Sequence, residues 1–170
     1  LRFGNKSVIS EIREDEDMPF TEDGRRVDLL LNLLAIINRT TSMPLYEITM
    51  TSICHQVRKK MQEYEDYKER EKLFFDILYE FNEDEHKQIQ KMYLDMNESE
   101  KKDFIDDVID NGIYIHQSPM WETKPIFYRI RDILEKYSWL QPDNVYINKW
   151  GRKIKILSKV WVGDMYILKK

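Results

Sequence analysis

A chain of 170 residues with 42% hydrophobic and 34% charged residues is long enough to bury a real core and too apolar to be disordered. Its formal net charge of -4 argues against a free-standing nucleic-acid binder, while leaving room for local basic patches. One cysteine, Cys54, excludes an internal disulfide and a Cys-based zinc site and points to a reducing, cytoplasmic compartment.

No apolar run approaches the ~20 residues that a membrane span needs, and no signal peptide is legible. Nineteen isoleucines stand against a single alanine, Ala35, the skew that an AT-rich genome would encode. The first residue is Leu1 and the last are Lys169 and Lys170, so the chain is expected to be a piece of a longer polypeptide or the product of processing. Residues 11–17, EIREDED, carry five acids and one base, whereas 149–170 carry seven bases and one acid.

In chain order, Ser7 to Ile12 alternates and predicts a strand. Asp23-Gly24 marks a turn, because glycine tolerates positive φ. VDLLLNLLAII (27–37) is apolar almost throughout and fits a segment buried on both faces. From Pro44 the period becomes helical through Ile48, Ser52, Ile53, Val57 and Met61. It continues from Tyr64 to Phe81, with Leu73, Phe74, Ile77, Leu78 and Phe81 on one face. A further helix is predicted over 84–95.

NESEKKDFIDDVIDNG (97–112) is the cleanest helix signal, with Asn97 or Ser99 as N-cap and Gly112 at the C-cap position. A short strand, 113–119, stops at Pro119. A helix over 123–137 follows, with Thr123 as N-cap and Ile126, Ile130, Ile133, Leu134 and Tyr137 on its apolar face. Residues 144–170 read as two or three strands with turns near Trp150-Gly151 and Ser158. The expected organisation is α+β. Residues 1–48 and 112–170 form one β-rich domain, and 49–111 form a helical insertion.

Metal and nucleophile sites fail on spacing. His55, His86 and His116 have no partner at ligand distance in sequence. The acids of EIREDED lack a calcium-loop pattern and read as a solvated face. Cys54 and His55 are helix neighbours that point apart, so Cys54 reads as a semi-buried helical cysteine. Gly4-Asn5-Lys6-Ser7 ends like a phosphate loop but lacks the earlier glycine and the following helix. By itself it is a turn with one lysine. Lys149, Arg152, Lys153, Lys155 and Lys159 interleave with Trp150 and Trp161. Such a patch can track a phosphate backbone or serve as a solvated strand face.

In order, these motifs resemble a known family. RFGNKSVIS is similar to an Arg-His-Gly-Asn-Lys-Gly-Val-Ile-Ser run in the β-type large subunit of multisubunit DNA-dependent RNA polymerases. Arg2, Gly4, Asn5 and Lys6 fall on that run. Glu16 to Phe20 fall on its Glu-Asp-Met-Pro-Tyr motif. Val27, Asp28, Leu31, Asn32 and Leu34 fall on Val-Asp-Ile-Val-Leu-Asn-Pro-Leu-Gly, and Arg39 falls on the arginine of Pro-Ser-Arg-Met. GIYIHQSPMWE (112–122) and NVYINKWGRKIKILSKVWVGDMYILKK (144–170) resemble later stretches of the same subunit. Gly151-Arg152 sits at its Asp-Gly-Arg turn, and Val162, Gly163, Met165 and Tyr166 lie in its closing run.

Phe3 and Ser7 depart from the family's histidine and glycine. Leu33, Ala35 and Ile37 depart from Pro, Gly and Pro. This drift is similar to that of divergent polymerases encoded by large bacteriophages.

The resemblance implies a double-psi β-barrel with a hybrid-binding region, sharing an active site with a β′-type subunit. It implies that Mg²⁺ is held by an aspartate triad of that partner, since no such triad occurs here. Lys6 and Arg39 become the catalytic residues. Lys6 would contact the RNA 3′ end or the incoming nucleotide's phosphate, and Arg39 the triphosphate. Arg2, Gly4, Asn5 and Asn32 complete the nucleic-acid and nucleotide contacts. The implied partners are the other polymerase subunits, template DNA, nascent RNA and nucleoside triphosphates, in a bacterial host cytoplasm if the chain is phage-encoded. An open alternative is a non-catalytic adaptor that binds protein or nucleic acid through its helices and basic tail.

Overall fold

A computed structural model describes residues 8–32, 34, 36, 38, 42–116 and 124–167. The described elements are, in order, a 3-10 turn at Asp15–Asp17, β1 (Phe20–Thr21), α1 (Met43–Glu63), α2 (Tyr67–Phe81), α3 (Glu83–Leu94), α4 (Glu98–Asn111), α5 (Ile126–Lys136), β2 (Val145–Lys149) and β3 (Arg152–Lys155). The mixture is α+β. The chain divides into two compact units, one of Leu1–Ser52 with Gln141–Lys170 and one of Ile53–Leu140.

In the first unit an antiparallel sheet runs in the order β1-β2-β3. Phe20 pairs with Tyr146 and Thr21 with Val145. Ile147 faces Ile154, and Lys149 faces Arg152. The β2–β3 hairpin closes through Trp150 (φ 52°) and Gly151 (φ 69°). Two successive residues with positive φ match the right-handed strand twist, as in a type I′ turn. Thr21, Pro44, Ser52 and Val145 are buried here. The ladder resumes past β3, where Asp143 and Val160 exchange backbone bonds of 2.8 and 3.0 Å.

In the second unit helices α2 to α5 and the later part of α1 build an aromatic-rich core. Ile53, Val57 and Met61 of α1 are fully buried, as are Ile77 of α2, Ile105 of α4 and Ile133 of α5. Phe74, Phe75, Tyr93 and Phe104 meet edge to face at centroid distances of 5.0 to 5.8 Å.

The termini explain the helix boundaries. Asp66 caps α2 by accepting from the Lys68 amide at 3.0 Å. The Asn82 carboxamide oxygen caps α3 by accepting from the Asp84 and Glu85 amides. Asn97 and Glu100 form a reciprocal capping box on α4, and Gly112 (φ 100°) ends that helix with its N–H on the Val108 carbonyl.

Several sequence expectations are corrected. Val8, Ile9 and Ile12 form no strand and are exposed, because no neighbouring strand pairs with them among the described residues. The apolar run after Val27 is not buried on both faces: Leu29, Leu30 and Leu34 are exposed. Residues 113–116 form no strand, and 117–119 of the strand expected there lie outside the described residues. The α5 N-cap is Pro125, with no side-chain cap, and Thr123 lies outside the described residues. The long helix expected to run on from Tyr64 is broken at 64–66, where Asp66 caps the new start. Of the two or three strands expected over 144–170, two form among the described residues, followed by a single bridge at Val160.

Candidate nucleic-acid interface

Of the residues predicted to touch nucleic acid or nucleotide, Arg2, Gly4, Asn5, Lys6 and Arg39 lie outside the described residues. Asn32 is described. It is exposed, and its carboxamide oxygen accepts the Leu34 amide at 3.0 Å, as in an Asx turn.

The acidic-glycine motif forms a tight turn in the first unit. Gly24 (φ 84°) donates its N–H to the Thr21 carbonyl at 3.0 Å, and Thr21 donates to the Arg25 carbonyl at 2.9 Å. The buried Thr21 hydroxyl donates to Asp23 at 2.5 Å. Pro19 accepts the Val27 amide at 2.8 Å, so the Glu-Asp-Met-Pro-Phe segment and the Val27 segment lie side by side.

The turn is tied to the tail. Arg25 donates to the Val162 carbonyl at 3.2 Å. Asp143 accepts from the Val162 amide and the Ser52 hydroxyl, both at 3.4 Å. Burial pushes the Asp143 carboxyl above its usual range, and the Val162 N–H and the Arg25 charge only partly offset this. Gly163 packs on α1 so tightly that a Cβ would collide with the Ile48 carbonyl and the Thr51 hydroxyl. The Thr51 hydroxyl also donates to the Asp164 carbonyl at 3.0 Å. The sequence reading singled out Gly163 but missed Thr51 and Asp143, because their contacts join segments about a hundred residues apart.

The basic tail patch is resolved residue by residue. Lys149 lies 4.5 Å from the Trp150 ring centroid, and Lys153 lies 4.1 Å from that of Tyr146 and 4.9 Å from that of Phe20. Lys159 donates to Gln141 at 2.7 Å. Lys153 and Lys155 alternate along β3 and share a face, as read from the sequence.

Among the described residues no three His, Cys, Asp or Glu side chains gather as a metal-binding group. The acids of 11–17 are exposed, and two of them are engaged by arginine, Glu11 by Arg13 and Asp15 by Arg26. The Arg13 contact holds the Glu11 carboxyl below the usual range. Among the described helices none is long and apolar enough to cross a membrane.

The family model described as RNA polymerase Rpb2, domain 6 matches residues 1–169. The chain belongs to this family. A DNA-directed RNA polymerase subunit beta of Geotalea daltonii is 31% identical over 174 residues, covering 99% of this chain and 12% of that protein. The subunit of the same name from Geobacter sulfurreducens is 29% identical over 180 residues, with the same coverage. That of Streptomyces coelicolor is 53% identical over 47 residues, 28% of this chain and 4% of that protein. The chain thus spans about an eighth of the length of the relatives that cover it whole. It corresponds to a segment of the β-type subunit.

Proposed function

We propose that this segment supplies the β-side contacts of a DNA-dependent RNA polymerase active site, in a cytoplasmic complex with a β′-type subunit and the other polymerase subunits. The observation that carries the reading is the family match over residues 1–169. The uninterrupted motif order from Arg2 to Arg39 supports it.

On this reading the strands of the first unit contribute to a double-psi β-barrel. The Gly4-Asn5-Lys6 loop meets the RNA 3′ end or the nucleotide phosphate. The Lys6 ammonium offsets negative charge that spreads over the transferring phosphoryl group, and such stabilisation is worth most where water is excluded. Arg39 grips the triphosphate, where a guanidinium binds two oxygens at once. Arg2 and Asn5 brace the loop, Gly4 lets backbone approach the nucleic acid, and Asn32 orients the chain that leads to Arg39. Mg²⁺ belongs to the β′-type partner.

Affinity purification of the tagged chain from its native host, followed by native mass spectrometry, tests the assignment. Recovery with a subunit bearing the Asn-Ala-Asp-Phe-Asp-Gly-Asp triad is expected. Recovery as a stable particle without any polymerase subunit overturns it.

A further inference from the structure

β3 is the edge of its sheet. β2 occupies one side, and among the described residues no backbone hydrogen bond reaches the other. All four β3 residues are exposed, and Leu157 just beyond is fully so. Such an edge presents a row of unpaired amides and carbonyls.

The edge is also densely cationic. Lys149, Arg152, Lys153 and Lys155 fall within seven residues, and among the described residues none of them makes an ion pair. Some exposed cations elsewhere are paired, Arg26 with Asp15 and Asp28 and Arg131 with Asp132 and Glu135, but none of those clusters along a strand edge. The hairpin is therefore a compact cationic patch on an acidic chain, without an ion pair among the described residues.

Lys149 and Lys153 already lie over the rings of Trp150, Tyr146 and Phe20. β3 itself carries no aromatic residue, so along its edge the hairpin offers cations and backbone. The register puts Lys153 and Lys155 on one face and Ile154 on the other. Lysines on an edge repel neutral and basic strands, and the same charges attract an acidic one.

We propose that β3 takes an acidic extended segment of another protein as a fourth strand. Carboxylates on alternate residues would face Lys153 and Lys155, and apolar residues between them would face Ile154. Main-chain bonds give the affinity in this mode, and the alternating side chains give the choice of partner.

The probe is an acetylated Glu-Val-Glu-Val-Glu-Val peptide added to the full chain, read by amide hydrogen exchange. Alternate β3 amides should slow by about tenfold at saturation, as expected for strand addition. Lys153→Glu with Lys155→Glu should abolish that protection, and Lys153→Gln with Lys155→Gln should weaken it. Exchange of the β2–β3 ladder itself reports that each variant is folded. A Lys-Val peptide of the same length should not protect. Unchanged β3 exchange, equal protection in the charge-reversed variant, or displacement of the peptide by an equimolar oligothymidylate would each overturn the proposal. The experiment needs no assembled polymerase, so its failure leaves the polymerase reading untouched.

Discussion

The Thr51 hydroxyl of α1 donates to the Asp164 carbonyl at 3.0 Å, one residue past the glycine that lies against the same helix turn. Gly163 is needed for space. An added Cβ would meet the Ile48 carbonyl and the Thr51 hydroxyl, and would stand 3.0 Å from the Ser52 amide nitrogen. Two of these three neighbours are backbone atoms, which cannot swing aside. Gly163→Ala should destabilise the first unit by about 1–3 kcal/mol, the usual cost of overpacking. Urea denaturation checks this, and an unchanged midpoint would contradict it.

Asn82 is the corresponding knot of the second unit. It is buried, it accepts from two α3 amides, and its NH₂ donates to the His116 carbonyl at 2.7 Å. The Glu85 carboxylate accepts the His116 amide at 2.9 Å, so one cap also holds the chain after α4. Asn82→Ala should cost about 2 kcal/mol, a lost cap plus the lost bond to the His116 carbonyl. Asn82→Asp keeps the cap acceptors and should cost less. Equal losses in thermal melts would contradict this division.

Asp143 makes a pH prediction. Its folded carboxyl titrates above the unfolded value of 3.8, because burial disfavours the anion. The folded state therefore holds the proton more tightly. Its contribution is fully present below the unfolded value and is lost as pH rises through the folded one. Asp143→Asn, which keeps an acceptor for the Val162 amide, should flatten the loss of stability as pH rises above the unfolded value of 3.8 and raise the melting temperature at neutral pH. A variant with the parent's slope in that window would contradict the assignment.

Cys54 should be inert. Burial pushes its thiol up to about 12, so almost no thiolate exists at neutral pH. Alkylation by iodoacetamide should be slow in the native chain and fast in denaturant. Rapid native labelling would contradict it.

The helices were legible because their signals are local. The capping box at Asn97–Glu100, the glycine stop at Gly112 and the spacing of Ile126, Ile130 and Ile133 each need only one turn of chain. The hairpin turn at Trp150-Gly151 was legible for the same reason. Val8 to Ile12 and Leu29 to Leu34 were misread because a pattern names an apolar face without naming what covers it. Neither segment finds a partner among the described residues, in a chain that spans about an eighth of its whole-length relatives. The candidate site was legible only through motif order. A lone lysine after Gly-Asn carries no chemistry of its own, and long-range ties such as Arg25 to Val162 leave no local trace.

The most direct test of the polymerase account is single-nucleotide addition by the assembled enzyme carrying Lys6→Ala. Removing a charge-stabilising group of this kind costs about 10²-fold or more in rate. The account predicts at least a tenfold slower addition in a complex that still assembles. Unchanged addition kinetics in that complex would contradict it.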